Sequence, residues 1–324
     1  MPVIRAAVGI IVNQKGDCLL SRRPEGKTFA GFWEFPGGKI EPSESAQEAL
    51  VRELQEELNI DVINCWPWFQ RSYEYPHATV HLVFFRVSAW CGLLSGREGQ
   101  ELRWVQLGSA QDIPAPLLPT NTQVLRAVQL PTVIGITQAE EMGPGPQLEA
   151  IDRACFRGLR WIHVREKNTP FDLLAAWVKQ VQEAARPWKA CVILNGTTSE
   201  AQSLGVDGVH WTSERLWQAD SRPQNMWVSA SCHTEADLEQ AERLGLDYVF
   251  LGPVLPTNSH PVTNMLGWSS FGQWVRQSSL PIYAIGGQDS TTLLASLQEG
   301  GQGWASRSRV WQELDPVPRW FTVG

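Results

Sequence analysis

Three glutamates in one short segment carry the strongest chemical signal in the chain. Glu53, Glu56 and Glu57 follow Arg52 in the run Arg-Glu-Leu-Gln-Glu-Glu. Residues three and four apart lie on one face of a helix, so the three carboxylates project together. Like charges this close repel one another, and a hard cation that takes oxygen ligands, such as Mg²⁺, removes the repulsion. The segment therefore predicts a metal-binding helix face, with an ordinary solvated acidic surface as the alternative.

The helix that must carry these carboxylates is also readable. Ser45 and Glu48 have the spacing of a capping box, which predicts that the helix begins directly after Ser45. Asn59 stands where the helix should end, and asparagine tolerates the left-handed backbone found there next best after glycine. An apolar stripe beside the acidic face would pack on the domain core; its members are Leu50, Val51, Leu54 and Leu58.

Length and composition limit the class of protein. The chain has 324 residues, enough for two domains, and its 43% hydrophobic and 19% charged content is typical of globular proteins. A net charge of −7 argues against direct nucleic-acid binding, which needs basic patches. The cysteines have no zinc-like spacing and are interpreted as reduced thiols. Neither a signal peptide nor a membrane-length apolar run is present in this sequence, so we expect a soluble cytoplasmic protein with no membrane partner.

The first part of the chain predicts a mixed α/β domain spanning residues 1–130. Strands Ile4–Val12 and Asp17–Ser21 flank a turn signal at 13–16. After the acidic helix, further strands are expected at 66–75, 79–89 and 101–107, and a second helix at 122–128.

Residues 131–324 have a different sequence pattern, in which predicted short apolar strands alternate with predicted helices. Eight such strands predict a (β/α)₈ TIM barrel, with a doubly wound sheet as the competing α/β architecture. The predicted strands are Thr132–Thr137, Trp161–Arg165, Ala190–Asn195, Gly208–Trp211, Trp227–Ser231, Tyr248–Gly252, Ile282–Gly286 and Gly303–Ser306.

The segment 38–60 resembles the Nudix box, and residues 3–130 resemble the MutT-type 8-oxo-dGTP diphosphatases. The matching segments outside the box are 7–11, 21–23, 33–39 and 97–100. The resemblance implies an α/β/α sandwich with a mixed sheet and Mg²⁺-dependent hydrolysis of 8-oxo-dGTP, with Mn²⁺ as an alternative metal. It implies that the metal ligands and catalytic carboxylates come from the Gly37 carbonyl, Glu53, Glu56, Glu57 and Glu98.

The same resemblance implies how the nucleotide substrate is held. Arg23 would contact the phosphates, because a guanidinium pairs well with phosphate oxygens. The backbone of Phe35 would line the base pocket, and Asn121 would read the oxidised purine edge with its amide. From spacing alone, Asn121 is instead interpreted as the N-cap of the helix that follows it. Arg52 would orient the box glutamates.

Residues 131–310 resemble the thiamin phosphate synthase/TenI superfamily. The matching segments are 162–167, 193–196, 207–210, 229–233, 251–257 and 284–287. The resemblance implies that Arg165, Lys167 and the Gly286–Gly287 backbone bind the phosphate of a thiazole or thiamin phosphate. It also implies proton transfer by His233, which is suited to that role near neutral pH. The alternative is that His233 caps the helix beginning near Thr234.

Three departures separate this segment from a synthase. Gly196 stands where the family has a metal-binding aspartate, a second acidic position is not evident after Trp211, and His260 replaces the expected lysine. A departing diphosphate would lack its metal clamp, which disfavours a full synthase. The alternatives that stay open are thiazole tautomerisation, thiamin phosphate synthesis and a non-catalytic phosphate-binding module.

Overall fold

The computed structural model describes residues 2–75, 78–108, 111–256 and 265–320. It divides into two compact units, Met1–Leu130 with Trp320–Gly324, and Pro131–Arg319. Among the described residues, none of the helices combines the length and apolar character that crossing a bilayer requires. All six cysteines lie in the described part and are free thiols, as the sequence predicted.

In its described residues, the first unit combines a mixed sheet, a smaller antiparallel sheet and two helices. Its elements are β1 (Val3–Ile11), β2 (Cys18–Arg22), β3 (Trp33–Glu34), β4 (Gly37–Lys39), α1 (Ala46–Leu58), β5 (Asp61–Tyr75), β6 (Ala78–Cys91), β7 (Leu102–Val105) and α2 (Pro119–Val128). In the first sheet the strand order is β4-β1-β6-β5, with β1 and β6 parallel, and in the second it is β3-β2-β7. The mixed α/β architecture predicted for this unit is therefore confirmed.

Helix α1 forms as its sequence predicts. Ser45 is the N-cap, and its reciprocal hydrogen bonds with Glu48 complete the capping box. Asn59 ends the helix with φ 59°, in the left-handed region. Of the predicted apolar stripe, the three leucines are fully buried in the core, but Val51 is 36% exposed and lies at its edge.

Two glycines of β4 allow close packing against its neighbours. Gly37 lies opposite Val8 of β1, and a Cβ atom on it would stand 2.2 Å from the Ala7 carbonyl oxygen. A Cβ atom on Gly38 would stand 2.1 Å from the carboxyl carbon of Glu53, which is far inside van der Waals contact. Any larger residue at position 38 would therefore push the Glu53 carboxylate away from β4.

The second unit is a closed barrel. Its strands in the described chain are β8 (Val133–Ile136), β9 (Trp161–Val164), β10 (Cys191–Asn195), β11 (Gly208–Trp211), β12 (Trp227–Cys232), β13 (Tyr248–Leu251), β14 (Ile282–Ile285) and β15 (Gly303–Ser306). These eight strands are parallel and pair in the order β10-β11-β12-β13-β14-β15-β8-β9, which excludes the doubly wound alternative. Most of them are buried along their length, as expected for parallel strands covered by helices.

Helices connect these strands along the described chain, and a last helix follows β15. They are α3 (Ala139–Met142), α4 (Pro144–Phe156), α5 (Phe171–Ala185), α6 (Thr198–Leu204), α7 (Ser213–Gln218), α8 (Glu235–Arg243), α9 (Gly267–Val275), α10 (Leu293–Gln298) and α11 (Arg309–Gln312). Because all the barrel strands are parallel, their carboxyl ends share one rim, where barrel enzymes place their sites.

Two buried histidines lie in the barrel interior. His163 Nε2 lies 2.8 Å from the Tyr248 hydroxyl. His210 lies between Ser229 Oγ at 2.8 Å and Ser231 Oγ at 2.9 Å. Burial lowers the pKa of His210 to about 3 and that of His163 well below its ordinary value. Both imidazoles are therefore neutral members of the core.

Candidate functional site

One arginine gathers the acidic groups around the start of α1. Arg52 donates to Glu44 at 2.6 and 3.1 Å, to Glu53 at 3.0 Å and to Glu56 at 3.1 Å. It also donates to the Lys39 carbonyl at 3.0 Å. The prediction that Arg52 orients the box glutamates is confirmed, because a planar guanidinium with several acceptors holds them in fixed directions.

Glu57 lies at the centre of the acidic group. Its side chain is only 16% exposed. Burial is the main cause that raises the pKa of Glu57 to about 7, and the carboxylates of Glu53, Glu98 and Glu34 add to it. Lys27 opposes this shift. Four carboxylates from three segments of the chain are therefore close enough to repel one another.

The loop that carries Glu98 is fastened to the end of α1. The Glu57 carbonyl accepts hydrogen bonds from the Arg97 amide and from Gln100 Nε2, both at 2.9 Å. The Glu98 amide in turn donates to Gln100 Oε1 at 2.8 Å. The sequence motif 97–100 thus places a carboxylate from outside the helix beside the box.

A cation lies between the helix and this loop. Lys27 Nζ is 2.5 Å from Glu98 Oε2 and 3.9 Å from Glu57 Oε1. Arg23, by contrast, is engaged elsewhere: it donates to Glu34 Oε2 at 2.5 Å and to the Thr28 carbonyl at 2.7 Å. A role of Arg23 toward phosphates stays a prediction.

Asn121 is not a helix cap. Helix α2 begins at Pro119, with Leu118 as its N-cap and no capping side chain, so the N-cap interpretation of Asn121 was wrong. Proline at the first helical position moves the start three residues earlier, since its fixed φ suits that position. Asn121 is 4% exposed, and its Nδ2 has no hydrogen-bond partner among the described residues. Its role in base recognition stays a prediction.

At the barrel rim, cations follow neighbouring strands. Arg165 directly follows β9, and its guanidinium makes no hydrogen bond or ion pair with the residues that the structure describes. Burial, then Arg307, lowers the pKa of Arg165, and Arg165 lowers the pKa of Lys167. Sequence reasoning missed Arg307, which also binds Glu141 at 2.5 Å. The position of Arg307 immediately after the eighth predicted strand could have identified it as a rim residue.

His233 lies at the same rim, after β12. The N-cap of α8 is Thr234, so the alternative that His233 caps this helix was wrong. His233 Nδ1 lies 2.6 Å from the Gly252 carbonyl, which can only accept a hydrogen bond. The Nδ1 atom therefore carries the proton in the neutral ring, which leaves a lone pair on Nε2.

The glycines after β14 are required by packing. Gly286 and Gly287 have φ values of 89° and 64°. A Cβ atom on Gly286 would lie 2.7 Å from Pro253 Cβ, and one on Gly287 would lie 2.7 Å from Leu255 Cβ. This explains both glycines without a ligand, so their role as a phosphate cradle stays a prediction.

The structure describes some, but not all, of the positions at which the sequence departs from a synthase. No carboxylate stands at Gly196, and the neighbouring Glu200 is held in a capping box, where it accepts from the Thr197 amide and hydroxyl at 2.7 Å. The expectation for His260 lies outside the described residues. Glu200 is therefore not free to replace the missing metal ligand.

Comparison with known proteins assigns each unit. The NUDIX domain model matches residues 3–128, and the thiamine monophosphate synthase model matches residues 133–310. The 8-oxo-dGTP diphosphatase of Haemophilus influenzae is 42% identical over 104 residues, covering 32% of this chain and 76% of that protein. The chain belongs to the Nudix and thiamine monophosphate synthase families.

Two further relatives show how each family portion compares. The Nudix portion is 38% identical to the CTP pyrophosphohydrolase of Escherichia coli over 120 residues, covering 37% of this chain and 87% of that protein. The synthase-family portion is 26% identical to the putative thiamine-phosphate synthase 2 of Aquifex aeolicus over 183 residues, covering 56% of this chain and 98% of that protein. The Nudix portion is thus similar to hydrolases named for two different bases.

Nudix hydrolases use a divalent metal ion, and the acidic group of this chain fits one. Its donors are carboxylate oxygens that repel one another, and Lys27 and Arg52 already lie on them as cations. Within the described chain, no three acidic, histidine or cysteine side chains form a complete metal site as they stand. The contacts explain this, because Arg52 holds Glu53 and Glu56 while Lys27 holds Glu98.

Proposed function

We propose that the Nudix unit, residues 1–130, hydrolyses 8-oxo-dGTP to 8-oxo-dGMP and diphosphate with Mg²⁺, or Mn²⁺ in its place. The observation that carries this proposal is the group of carboxylates around Glu57, which joins one helix face to a separate loop. Removal of the oxidised nucleotide would prevent its use in DNA synthesis and so limit mutation. The partner is a small nucleotide rather than a nucleic acid.

The residues divide the chemistry among them. Glu53, Glu56, Glu57, Glu98 and the Gly37 carbonyl would hold the metal. When bound, it would neutralise the phosphate oxygens and lower the pKa of a water molecule. One of the carboxylates would accept the proton of the attacking water.

The Asn121 amide supports a purine substrate. Its Nδ2, unpartnered among the described residues, is a buried donor, and such a donor costs free energy that a ligand acceptor would recover. The side chain of Phe35 is buried, at 3% exposure, and its backbone would line the base pocket. Arg23 would contact the phosphates from the loop that follows β2.

A substrate panel tests this function. Catalytic efficiency should be much higher for 8-oxo-dGTP than for dGTP, CTP or thiamin diphosphate in one preparation, because a polar pocket rejects bases that leave its groups unpaired. Equal efficiency with dGTP would overturn the sanitising role. A preference for CTP would assign the unit to pyrimidine hydrolysis instead.

A charge-neutral substitution tests the metal assignment in the same assay. Glu57→Gln should abolish turnover, while Glu74→Gln, on an exposed position of β5, should behave like the wild type. Full activity in a well-folded Glu57→Gln protein would show that the carboxylate group is not the active site.

For the second unit, Pro131–Arg319, two rim side chains favour a second candidate function. They are Arg165, which is unpaired among the described residues, and His233 with its free Nε2 lone pair. The barrel would bind a thiazole phosphate carboxylate through Arg165, Lys167 and Gly286–Gly287, and His233 would move a proton during tautomerisation. No metal enters this step. The absent carboxylate at Gly196 disfavours thiamin phosphate synthesis.

Two assays separate the outcomes for the barrel. Thiazole isomerisation that disappears in His233→Ala would support the tautomerase. Formation of thiamin phosphate from thiazole phosphate and the pyrimidine diphosphate would overturn it in favour of a synthase. Calorimetric binding of thiazole phosphate without turnover would show a non-catalytic binding module.

A further inference from the structure

Lys27 lies where the proposed function would place a metal ion. Its ammonium is 2.5 Å from Glu98 and 3.9 Å from Glu57, so it joins the loop carboxylate to the helix carboxylate. A lysine ammonium and a divalent metal ion both satisfy carboxylate oxygens, and they cannot occupy the same position. Lys27 is therefore the cation that these two carboxylates meet in the structure.

The backbone of the loop around Lys27 is held by hydrogen bonds, whereas the Lys27 side chain is held by its ion pairs with Glu98 and Glu57. Arg23 Nε donates to the Thr28 carbonyl at 2.7 Å, and the Gly31 amide donates to the Arg23 carbonyl at 2.9 Å. The Lys27 side chain is 46% exposed and has a flexible four-carbon stem. The ammonium can therefore leave the carboxylates without movement of the backbone.

The second cation of the site behaves differently. Arg52 donates to three carboxylates and to the Lys39 carbonyl, which fixes its guanidinium. Of these two cations, the one whose removal exposes Glu57 and Glu98 together is Lys27. The two have separate tasks: Arg52 orients the carboxylates, and Lys27 occupies the space between them.

We propose that Lys27 is a placeholder cation that competes with the metal ion for Glu57 and Glu98, and that it turns to the phosphates of the nucleotide once the metal binds. This proposal rests on the metal site of the proposed function. In the metal-free state the ammonium reduces repulsion among the carboxylates. In the loaded state the same positive charge faces the substrate's phosphate oxygens, which carry the compensating negative charge.

Metal binding without nucleotide tests the first half. In Mn²⁺ titration calorimetry, Lys27→Met should bind the metal roughly two- to fivefold more tightly than the wild type, the range for loss of a partly exposed competing ion pair. Lys27→Arg keeps the charge and should stay close to the wild type. Lys15→Met removes the same charge from the β1–β2 turn and should leave affinity unchanged. Unchanged or weaker binding in Lys27→Met would overturn the proposal.

Glu57→Gln distinguishes failure of the placeholder from failure of the metal site. If Glu57→Gln loses Mn²⁺ binding while Lys27→Met binds like the wild type, only the placeholder is wrong. If Glu57→Gln binds Mn²⁺ like the wild type, the proposed metal site is wrong, and the placeholder proposal that depends on it is wrong as well. Circular dichroism of each variant shows that the fold is intact.

Steady-state kinetics at saturating Mg²⁺ tests the second half. Lys27→Met should raise KM for the nucleotide several-fold and change kcat little, because a lost phosphate contact of this kind removes binding from ground state and transition state alike. An unchanged KM would show that the ammonium does not reach the phosphates and would overturn this half.

Discussion

At the residue scale, neighbouring glutamates of the box helix have different surroundings. Glu53 and Glu56 are held by Arg52, whereas Glu57 one position further is buried among carboxylates and lies near Lys27. Spacing predicted the common face of the three glutamates. It could not predict which cation each one meets, because Lys27 and Glu98 come from loops that only the folded sheet brings to the helix.

Asn121 carries the prediction at this scale. Asn121→Ala should lower kcat/KM for 8-oxo-dGTP by about 10- to 100-fold, the range expected for loss of one or two hydrogen bonds to a buried ligand. The effect on dGTP should be smaller. Because Nδ2 has no partner in the described protein, thermal stability should change little. Side-by-side kinetics with both nucleotides and a melting curve measure this.

The control lies next to it in the same helix. Thr122 is exposed on α2, so Thr122→Ala should leave both efficiencies unchanged. Equal losses for the two nucleotides in Asn121→Ala would show that the amide does not select the oxidised base.

At the element scale, local signals predicted the ends of helices well where capping chemistry was complete. Ser45 with Glu48 began α1 as predicted, and Asn59 ended it in the left-handed conformation. In α2 the signal was weaker. Pro119 rather than Asn121 set the start, because a proline at the first helical position needs no capping side chain.

Closure of the barrel is a feature that the sequence pattern predicted without being able to prove it. Alternating strands and helices fit both a barrel and an open sheet, and the deciding contacts pair β15 with β8, far apart in sequence. The polar residues inside the barrel were also not predicted as a group. His210 meets Ser229 and Ser231 only because neighbouring strands align them in register.

These buried imidazoles make barrel stability depend on pH. The pKa of His210 falls from its ordinary 6.5 to about 3 in the folded chain, so unfolding takes up a proton between these values. The free energy of unfolding therefore has its full value above about pH 6.5. It decreases as the pH drops below that value, by at most roughly 1.4 kcal/mol per pH unit for each such histidine. His163 acts in the same direction.

His210→Gln should remove one of these contributions while keeping an amide between the two serines. Urea denaturation of both proteins at about pH 7 and about pH 5 measures the effect. The wild type should lose more stability than the variant on acidification, and contributions from the Nudix unit cancel in the comparison. Parallel losses in the two proteins would contradict a neutral, buried His210.

At the scale of the whole molecule, the two families are joined in one chain, but the last described residue does not belong to the barrel. Trp320 groups with the Nudix unit and is 4% exposed. The fully buried guanidinium of Arg86, on β6, lies 5.6 Å from its ring centre and 5.4 Å from that of Trp68. Such contacts between a cation and aromatic faces strengthen when they are removed from water.

Trp320→Ala should therefore destabilise the Nudix unit, although the residue follows the barrel in sequence. Truncation of a buried tryptophan typically costs about 3 kcal/mol or more, and the Arg86 contact would be lost with it. Amide hydrogen exchange should show reduced protection in β1 and β6, with the barrel strands unchanged. Trp311→Ala, whose indole donates to the Ile136 carbonyl at 2.9 Å, should show the reverse pattern. Loss of protection confined to the barrel in Trp320→Ala would contradict the assignment of this residue to the Nudix unit.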